Sequence, residues 1–169
     1  MRIDQKDVLL IEALQQDASK GLEELARLVH LAPSSVHDRL RRLQQDGIIR
    51  GWTIKVDAAA LGLEIQAFIG IQASRPCEDL VEELRAVACI EECHSVAGDL
   101  SMLLKVRVPH PIDLMDLTEK LRQIPGIDGT RTTIVLKTQI DRPARRASST
   151  GKKSLPAHRT GPAKKSSPR

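Results

Sequence analysis

Apolar residues in the first fifty positions recur at the spacing of α-helices. Val8, Ile11 and Leu14 fall on one helical face, and Asp4 stands where an N-cap stabilises the first turn. A first helix is therefore predicted from Asp4 to about Gln16. Two shorter helices follow closely, with inward positions at Leu22, Leu25, Ala26 and Val29 in the second and at Val36, Leu40 and Leu43 in the third.

A tight turn separates the second and third predicted helices. Pro33 suits the first turn of the third helix, where no amide hydrogen is needed. Gly47 is placed to end that helix by adopting a left-handed conformation. A short strand is expected from Ile48 to Val56. Three helices in this order, with a tight turn before the last, are typical of a (winged) helix-turn-helix domain.

Beyond Leu63 the pattern changes to alternation. Ile65, Ala67, Ile69 and Ile71 occupy every second position, as in a half-buried strand. The remaining segments are predicted to be a helix, two strands, a helix and a strand, at residues 76–88, 89–97, 101–108, 113–124 and 130–140. This β-α-β-β-α-β order predicts a ferredoxin-like antiparallel sheet with helices on one face, so the fold class is α+β.

The charge balance divides the chain into three parts. Residues 1–56 carry nine basic and eight acidic groups, residues 57–141 carry eight and fourteen, and residues 142–169 carry nine Lys or Arg and no Asp or Glu. An acidic domain binds phosphate poorly, so self-association or small-ligand sensing is expected of it. The last part has too few apolar residues to form a core and is expected to be a disordered basic tail. The predicted organisation is a helix-turn-helix domain at 1–50, a linker strand at 51–62, an effector-binding and oligomerisation domain at 63–141 and the tail at 142–169.

Composition narrows the class of protein further. Trp52 and Phe68 are the only aromatic residues, which argues against stacking on single-stranded nucleic acid. Three cysteines give no disulfide framework, no signal peptide is recognised, and no apolar run reaches the ~18 residues of a membrane span, so a cytoplasmic protein without a membrane partner is expected. Cys89 and Cys93 precede His94, but in a strand the two cysteines would lie ~13 Å apart. No metal site and no cofactor is therefore predicted.

The outward face of the third predicted helix carries groups that suit a DNA groove. In a helix-turn-helix, the N-terminal residues of the second helix of the pair contact base edges. Short polar groups contact bases, and Arg reaches guanine edges or phosphate. An ordinary surface helix would also place Arg near its C-terminus, and Asp38 repels phosphate, but the tri-helical order favours double-stranded DNA. The predicted contacts are Ser34, Ser35 and His37 nearest bases and Arg39, Arg41 and Arg42 mostly on phosphates.

Five segments of the chain are similar to segments of a known protein family, namely IDQKDVLLIEAL, EELARLVHLAPSSVHDRLRRLQQDGIIRGW, VDAAALG, CHSVAGDLSMLLKV and IPGIDGTRTTIVLK. The segments occur in the same order as in that family, so the sequence resembles the Lrp/AsnC (feast/famine) family of transcriptional regulators. The resemblance implies a sequence-specific regulator of transcription, associated with the nucleoid, rather than an enzyme. It also implies a homodimer or higher homo-oligomer whose C-terminal domains bind an amino-acid effector.

The resemblance places the effector at the turn between the second and third strands of the C-terminal domain. The predicted contacts are Gly98, Asp99, Leu100, Ser101 and Thr132. The family usually has Asp where this chain has Ser101, and a hydroxyl cannot pair with an ammonium as a charge, so the identity of the effector stays open. A plain hairpin turn at Gly98 and an ordinary strand role for Thr132 are the alternatives.

The chain also departs from the family in the helix-turn-helix. His30 stands where a Gly is usual and Ala32 where a Ser cap is usual. Ala in place of a Ser cap costs ~1 kcal/mol, which Pro33 offsets in part.

Two other functions remain open from the sequence. An architectural, chromosome-organising protein would rely on the basic tail, whose attraction to DNA is non-specific. A sirohaem-decarboxylase-like enzyme would share the two-domain layout, but His94 and His110 are the only histidines of the predicted C-terminal domain and no catalytic acid–base pair is recognised. No catalytic residue is therefore predicted.

Overall fold

The computed structural model describes residues 3–143, and these divide into two compact units, one running to Arg41 and the other from Arg42 to Asp141. Each unit has a hydrophobic core of its own. The basic tail expected to be disordered lies, from residue 144 onward, outside the described residues.

The first unit is helical. The boundary between the two units falls between Arg41 and Arg42, in the last turns of the third helix. The elements of the first unit are α1 (Gln5–Gln16), α2 (Leu22–Val29) and α3 (Pro33–Gln45). Asp4 caps α1, as predicted: the Asp7 N–H donates to Asp4 Oδ1 at 2.8 Å, and the Asp4 N–H donates back to Asp7 Oδ2 at 3.0 Å. This reciprocal pair satisfies two amide donors that the first helical turn leaves without intrahelical partners.

Apolar side chains from all three helices form the core of the first unit. Its buried members are Leu10, Ala13, Leu14, Leu25, Ala26, Val29 and Val36. Leu31 and Leu40 pack against this core from its edge. The inward positions predicted for α2 and α3 are therefore confirmed, except that Leu22 is exposed.

The second unit is a four-stranded sheet with two helices. Its elements are β1 (Ile65–Ala73), α4 (Cys77–Arg85), β2 (Ile90–Ser95), β3 (Met102–Val108), α5 (Pro111–Arg122) and β4 (Ile127–Ile134). The strand order is β2-β3-β1-β4, and each neighbouring pair is antiparallel. The predicted β-α-β-β-α-β order is confirmed.

The two faces of this sheet differ in character. On β3, alternate residues Met102, Leu104, Val106 and Val108 are buried in one core with leucines of both helices. The intervening Leu103, Lys105 and Arg107 lie on the opposite face, together with their β1 neighbours Gly70, Phe68 and Gln66. We call this second surface the open face.

One predicted strand is absent, and the bounds of several elements, β4 and α5 among them, differ from those predicted. The strand expected from Ile48 to Val56 is not formed, since residues 50–57 have no regular structure and an extended segment becomes a strand only by pairing with another. β4 begins at Ile127 and ends at Ile134, whereas the alternation of β-branched residues placed it at 130–140. α5 begins at Pro111, two residues before the predicted start at 113, since proline suits the first position of a helix.

Candidate nucleic-acid interface and effector site

The turn between α2 and α3 depends on a left-handed residue. His30 adopts φ 52° and ψ 56°, and it is the one residue other than Gly with positive φ among residues 3–143. Its N–H donates to Ala26 and Arg27 carbonyl oxygens, and the Leu31 N–H donates to the Ala26 carbonyl at 3.0 Å. These bonds close the end of α2 and direct the chain into α3 within a few residues.

α3 presents a continuous polar surface opposite its buried stripe. Val36 and Leu43 are fully buried. Five of the six residues predicted to contact DNA are exposed, namely Ser34, Ser35, His37, Arg41 and Arg42. The Val36 N–H donates to the Ala32 carbonyl, which starts the helix just before the two serines. Amide groups of this first turn and two hydroxyls therefore lie at the positive end of the helix dipole, where phosphate is stabilised.

Arg39, the sixth predicted residue, is partly buried and bonds to two carboxylates at the start of α1. Its Nη1 donates to Asp4 Oδ2 at 2.6 Å and to Asp7 Oδ1 at 2.8 Å. The hydrogen bond from the Asp7 N–H, followed by that from Arg39, holds the pKa of the Asp4 carboxyl below its usual value. The ion pair with Asp4 in turn raises the pKa of Arg39. Whether Arg39 also contacts phosphate, as expected from the sequence, stays a prediction.

The predicted effector turn is a hairpin that is tied to β1. Gly98 has φ 124°, a conformation that residues with a side chain rarely adopt. The Val96 N–H donates to the Ser101 carbonyl, and the Ser101 N–H donates to the Ile71 carbonyl at 2.8 Å. The Ser101 Oγ accepts from the Ala73 N–H at 3.1 Å. Ser101 thus already uses its hydroxyl to hold the turn against the end of β1.

Two further contacts hold the turn against β1. The Leu100 side chain packs over Gly70, where a Cβ would lie 2.5 Å from Leu100 Cδ1. The Gln72 Nε2 donates to the Asp99 carbonyl at 3.5 Å. Leu100 therefore covers the open face of the sheet at the position where β1 has no side chain.

Thr132 lies on the other side of the sheet. It pairs with Ile69, whose side chain is buried under the helices, and paired residues of antiparallel strands project to the same face. The Thr132 Oγ1 is 3.4 Å from Thr118 Oγ1. Both residues line a shallow cavity of about 330 Å³ with Pro111, Leu114, Met115 and Arg122. Within one chain, Thr132 and Leu100 therefore lie on opposite faces of the sheet.

The open face carries a charged network that the sequence analysis did not identify. Lys105 Nζ donates to Glu92 Oε1 at 2.8 Å, and Arg107 Nε donates to Glu91 Oε1 at 2.6 Å. Arg107 Nη2 also donates to Gln66 Oε1. The network borders a groove of about 700 Å³ that is lined by the segments before β1 and after β4. The basic residues at alternate positions of β3 could have indicated this network from the sequence. Their acidic partners on β2 could not be predicted, because they depend on how the two strands pair.

The described residues form neither a metal-binding cluster nor a membrane-spanning helix. Among residues 3–143, no group of three or more His, Cys, Asp or Glu side chains is arranged to hold a metal ion. No helix in the same range is long and apolar enough to cross a bilayer.

The sequence matches two family models that fit this division of the chain. Residues 3–44 match the AsnC-type helix-turn-helix domain, and residues 66–145 match the Lrp/AsnC ligand binding domain. Together these matches cover both units, so the chain belongs to the Lrp/AsnC family of transcriptional regulators, with a DNA-binding domain followed by a ligand-binding domain.

Named relatives agree with this assignment. The chain is 33% identical to the HTH-type transcriptional regulator FL11 of Pyrococcus horikoshii over 137 residues, which is 80% of this chain and 91% of that protein. It is 33% identical to the leucine-responsive regulatory protein of Escherichia coli K12 over 140 residues, covering 80% and 85% of the two chains. Because these relatives are regulators and not enzymes, the prediction of a non-enzymatic protein is confirmed.

A solved structure supports the fold. The feast or famine regulatory protein from Mycobacterium tuberculosis complexed with L-methionine superposes with a TM-score of 0.78 at 33% identity, covering 83% of this chain and 96% of that one. The α+β fold predicted from the sequence is therefore confirmed.

Proposed function

We propose that the protein is a sequence-specific transcription factor that reads double-stranded DNA through α3. The observation that carries this proposal is the exposed polar face of α3, opposite a stripe that includes the fully buried Val36 and Leu43. Ser34, Ser35 and His37 near its N-terminus would contact base edges, while Arg41 and Arg42 would bind phosphates. DNA binding of this kind would place the protein on the nucleoid in the cytoplasm.

We further propose that the second unit binds an amino acid at the hairpin of Gly98, Asp99, Leu100 and Ser101. The L-methionine complex of the Mycobacterium tuberculosis relative supports an amino acid as the ligand class. Amide groups near a glycine in a left-handed turn suit a carboxylate. Thr132 would contact the ligand only from another subunit, because the sheet lies between Thr132 and Leu100 of one chain.

Self-association is the third element of the proposal. The segment before β1 exposes Trp52, Ile54 and Val56 at alternate positions and has no strand partner among the described residues. The open face adds the half-buried Phe68 beside the charged network. Alternating apolar residues without a partner and a sheet covered by helices on one side only both favour pairing with a second copy.

A selection experiment tests the DNA-binding proposal. The wild-type protein would enrich duplexes from a random-sequence pool, and footprinting would define the bound site. Arg41→Ala with Arg42→Ala should abolish the footprint and leave the subunit number, measured by light scattering, unchanged. The matched control is Arg85→Ala with Lys120→Ala, which removes two exposed charges of α4 and α5 and should leave the footprint intact. An unchanged footprint in the α3 variant would refute the assignment.

Calorimetric titration of the wild-type protein with L-methionine and L-leucine tests the ligand proposal. Binding of either that changes the affinity for the selected duplex would support an effector, since a ligand shifts an equilibrium only by its differential affinity for two states. If the pool yields no preferred sequence and binding tracks charge alone, an architectural DNA-binding protein is the better description.

A further inference from the structure

The contact between Arg39 and the start of α1 joins two helices that are far apart in sequence. The guanidinium of Arg39 bonds Asp4 and Asp7, which lie 35 and 32 residues before it. Asp7 is fully buried, and it is the one buried polar or charged residue of the described chain. A buried carboxylate is tolerated only with charged or hydrogen-bonding partners, and Arg39 is one of these partners, together with the Asp4 N–H.

The position of Arg39 on α3 also separates it from the proposed groove-facing residues. At about 100° per residue, Arg39 lies about 60° from Val36, which is buried, whereas Arg41 lies about 140° from it. Arg39 accordingly has only a quarter of its side chain exposed, and the part that is bonded points to α1. To bind phosphate through the same Nη1, it would have to release a buried carboxylate.

We propose that Arg39 is a positioning residue, which fixes α3 against α1 by binding the buried Asp7 and the N-cap Asp4, and that it does not serve as a phosphate contact. The planar guanidinium has a fixed donor geometry, so a bond to two carboxylates of the same helix turn restrains the rotation of α3 as well as its distance from α1. This inference rests on the proposed DNA-reading role of α3. It assigns Arg39 a role different from the phosphate contact proposed for Arg41.

The substitution Asp7→Asn distinguishes the two roles by the sign of its effect. If Arg39 positions α3, removing the buried charge should weaken binding to the duplex selected by the wild-type protein by about tenfold. Binding to a scrambled duplex of the same length should change by less than about twofold, since phosphate attraction is unaffected. If Arg39 instead contacts phosphate, the same substitution frees the guanidinium, and binding to both duplexes should be unchanged or tighter.

Salt dependence gives a second readout. Arg39→Met should leave the slope of log affinity against log salt unchanged, whereas loss of one phosphate contact lowers its magnitude by about 0.9. Arg41→Ala is the internal standard, since the proposed phosphate contact there should produce that decrease. A slope reduced by the same amount in Arg39→Met would overturn the proposal. Arg39→Lys, which retains a charge for Asp7, should recover most of the preference for the selected duplex.

Variants that change only an exposed carboxylate can still test the proposal if Arg39→Met does not fold. Asp4→Asn retains a good N-cap residue and removes only the exposed partner, so it should fold and lower the preference for the selected duplex by about threefold. Asp38→Asn is the matched control, because it removes an exposed carboxylate from α3 without touching the pair and should tighten binding to both duplexes. Equal effects of Asp4→Asn and Asp38→Asn would contradict the proposal. Failure of the wild-type protein to select any sequence would instead refute the DNA-reading role.

Discussion

The side chain of Leu100 occupies the space above Gly70, so that a Cβ at position 70 would lie 2.5 Å from Leu100 Cδ1 and 3.0 Å from Cδ2. Gly70→Ala should therefore displace Leu100 and the hairpin that carries it. The leucine can move, so we expect a cost of about 1 kcal/mol in the free energy of unfolding. We expect L-methionine to bind about tenfold more weakly, which is about 1.4 kcal/mol, as measured by calorimetric titration.

The control for this prediction is Gly51→Ala. A Cβ at position 51 meets nothing within 4 Å, so this variant should bind the ligand with wild-type affinity. Unchanged ligand binding in Gly70→Ala would show that Leu100 does not border the proposed ligand site.

His30→Gly should stabilise the protein. His30 holds a left-handed conformation that costs a residue with a Cβ more than it costs glycine. We expect the free energy of unfolding to rise by about 0.5–1 kcal/mol. Urea unfolding followed by helical circular dichroism would measure the change. The same replacement inside α3, His37→Gly, should lower stability by about 1 kcal/mol, and a destabilised His30→Gly would mean that the imidazole makes contacts worth more than the backbone strain.

The pair of Glu92 and Lys105 should stabilise the protein at neutral pH and not in acid. The hydrogen bond from Lys105, together with that from His94, holds the pKa of Glu92 below its usual value of 4.5. Because the pKa is lower in the folded state, the contribution is complete above about pH 5 and disappears as the pH falls below 4.5 through the folded value. Glu92 is half exposed, so we expect a coupling energy of about 0.5 kcal/mol.

A double-mutant cycle with Glu92→Gln and Lys105→Met, repeated at pH 7 and pH 3, would measure this coupling. The looser pair of Arg85 and Glu82, at 3.7 Å and largely exposed, provides a control that should show almost no coupling at either pH. Coupling of equal size at pH 3 and pH 7 would exclude an ionic origin.

Truncation after Asp141 should weaken binding to every duplex and flatten the dependence on salt. The removed segment carries nine basic residues and no acidic ones. Each phosphate neutralised by the tail contributes about 0.9 to the slope, whatever the base sequence. Filter binding at several salt concentrations would measure both effects. A full-length variant with the nine basic residues replaced by Gln should behave like the truncated protein, and an identical slope in all three proteins would exclude a tail contact with DNA.

Local patterns predicted most of the elements because their causes are local. The cap at Asp4, the left-handed Gly47 and the alternation of β1 each depend on a few neighbouring residues. The strand expected at Ile48 to Val56 failed because strand formation depends on a partner, which the alternation of Trp52 and Ile54 cannot supply by itself.

The role proposed for Arg39 could not be predicted from the sequence, because it too depends on a distant partner. Helical spacing placed it beside Arg41 and Arg42 as one of three basic residues on α3. Its bond to Asp7, 32 residues earlier, depends on how the helices pack, because that packing is what buries Asp7. Likewise, the sequence grouped Thr132 with the hairpin, whereas strand register places it opposite Ile69, on the side of the helices.

The backbone irregularity between Ile90 and Glu92 lies in β2. β2 is a border of the sheet, and an unpaired border normally invites further strands to add to it. The register shift at Glu91 makes the backbone of this border irregular, and Glu91 and Glu92 place two adjacent carboxylates on it. Pairing of a foreign strand with β2 is thereby discouraged, so this border of the sheet is protected from edge-to-edge aggregation.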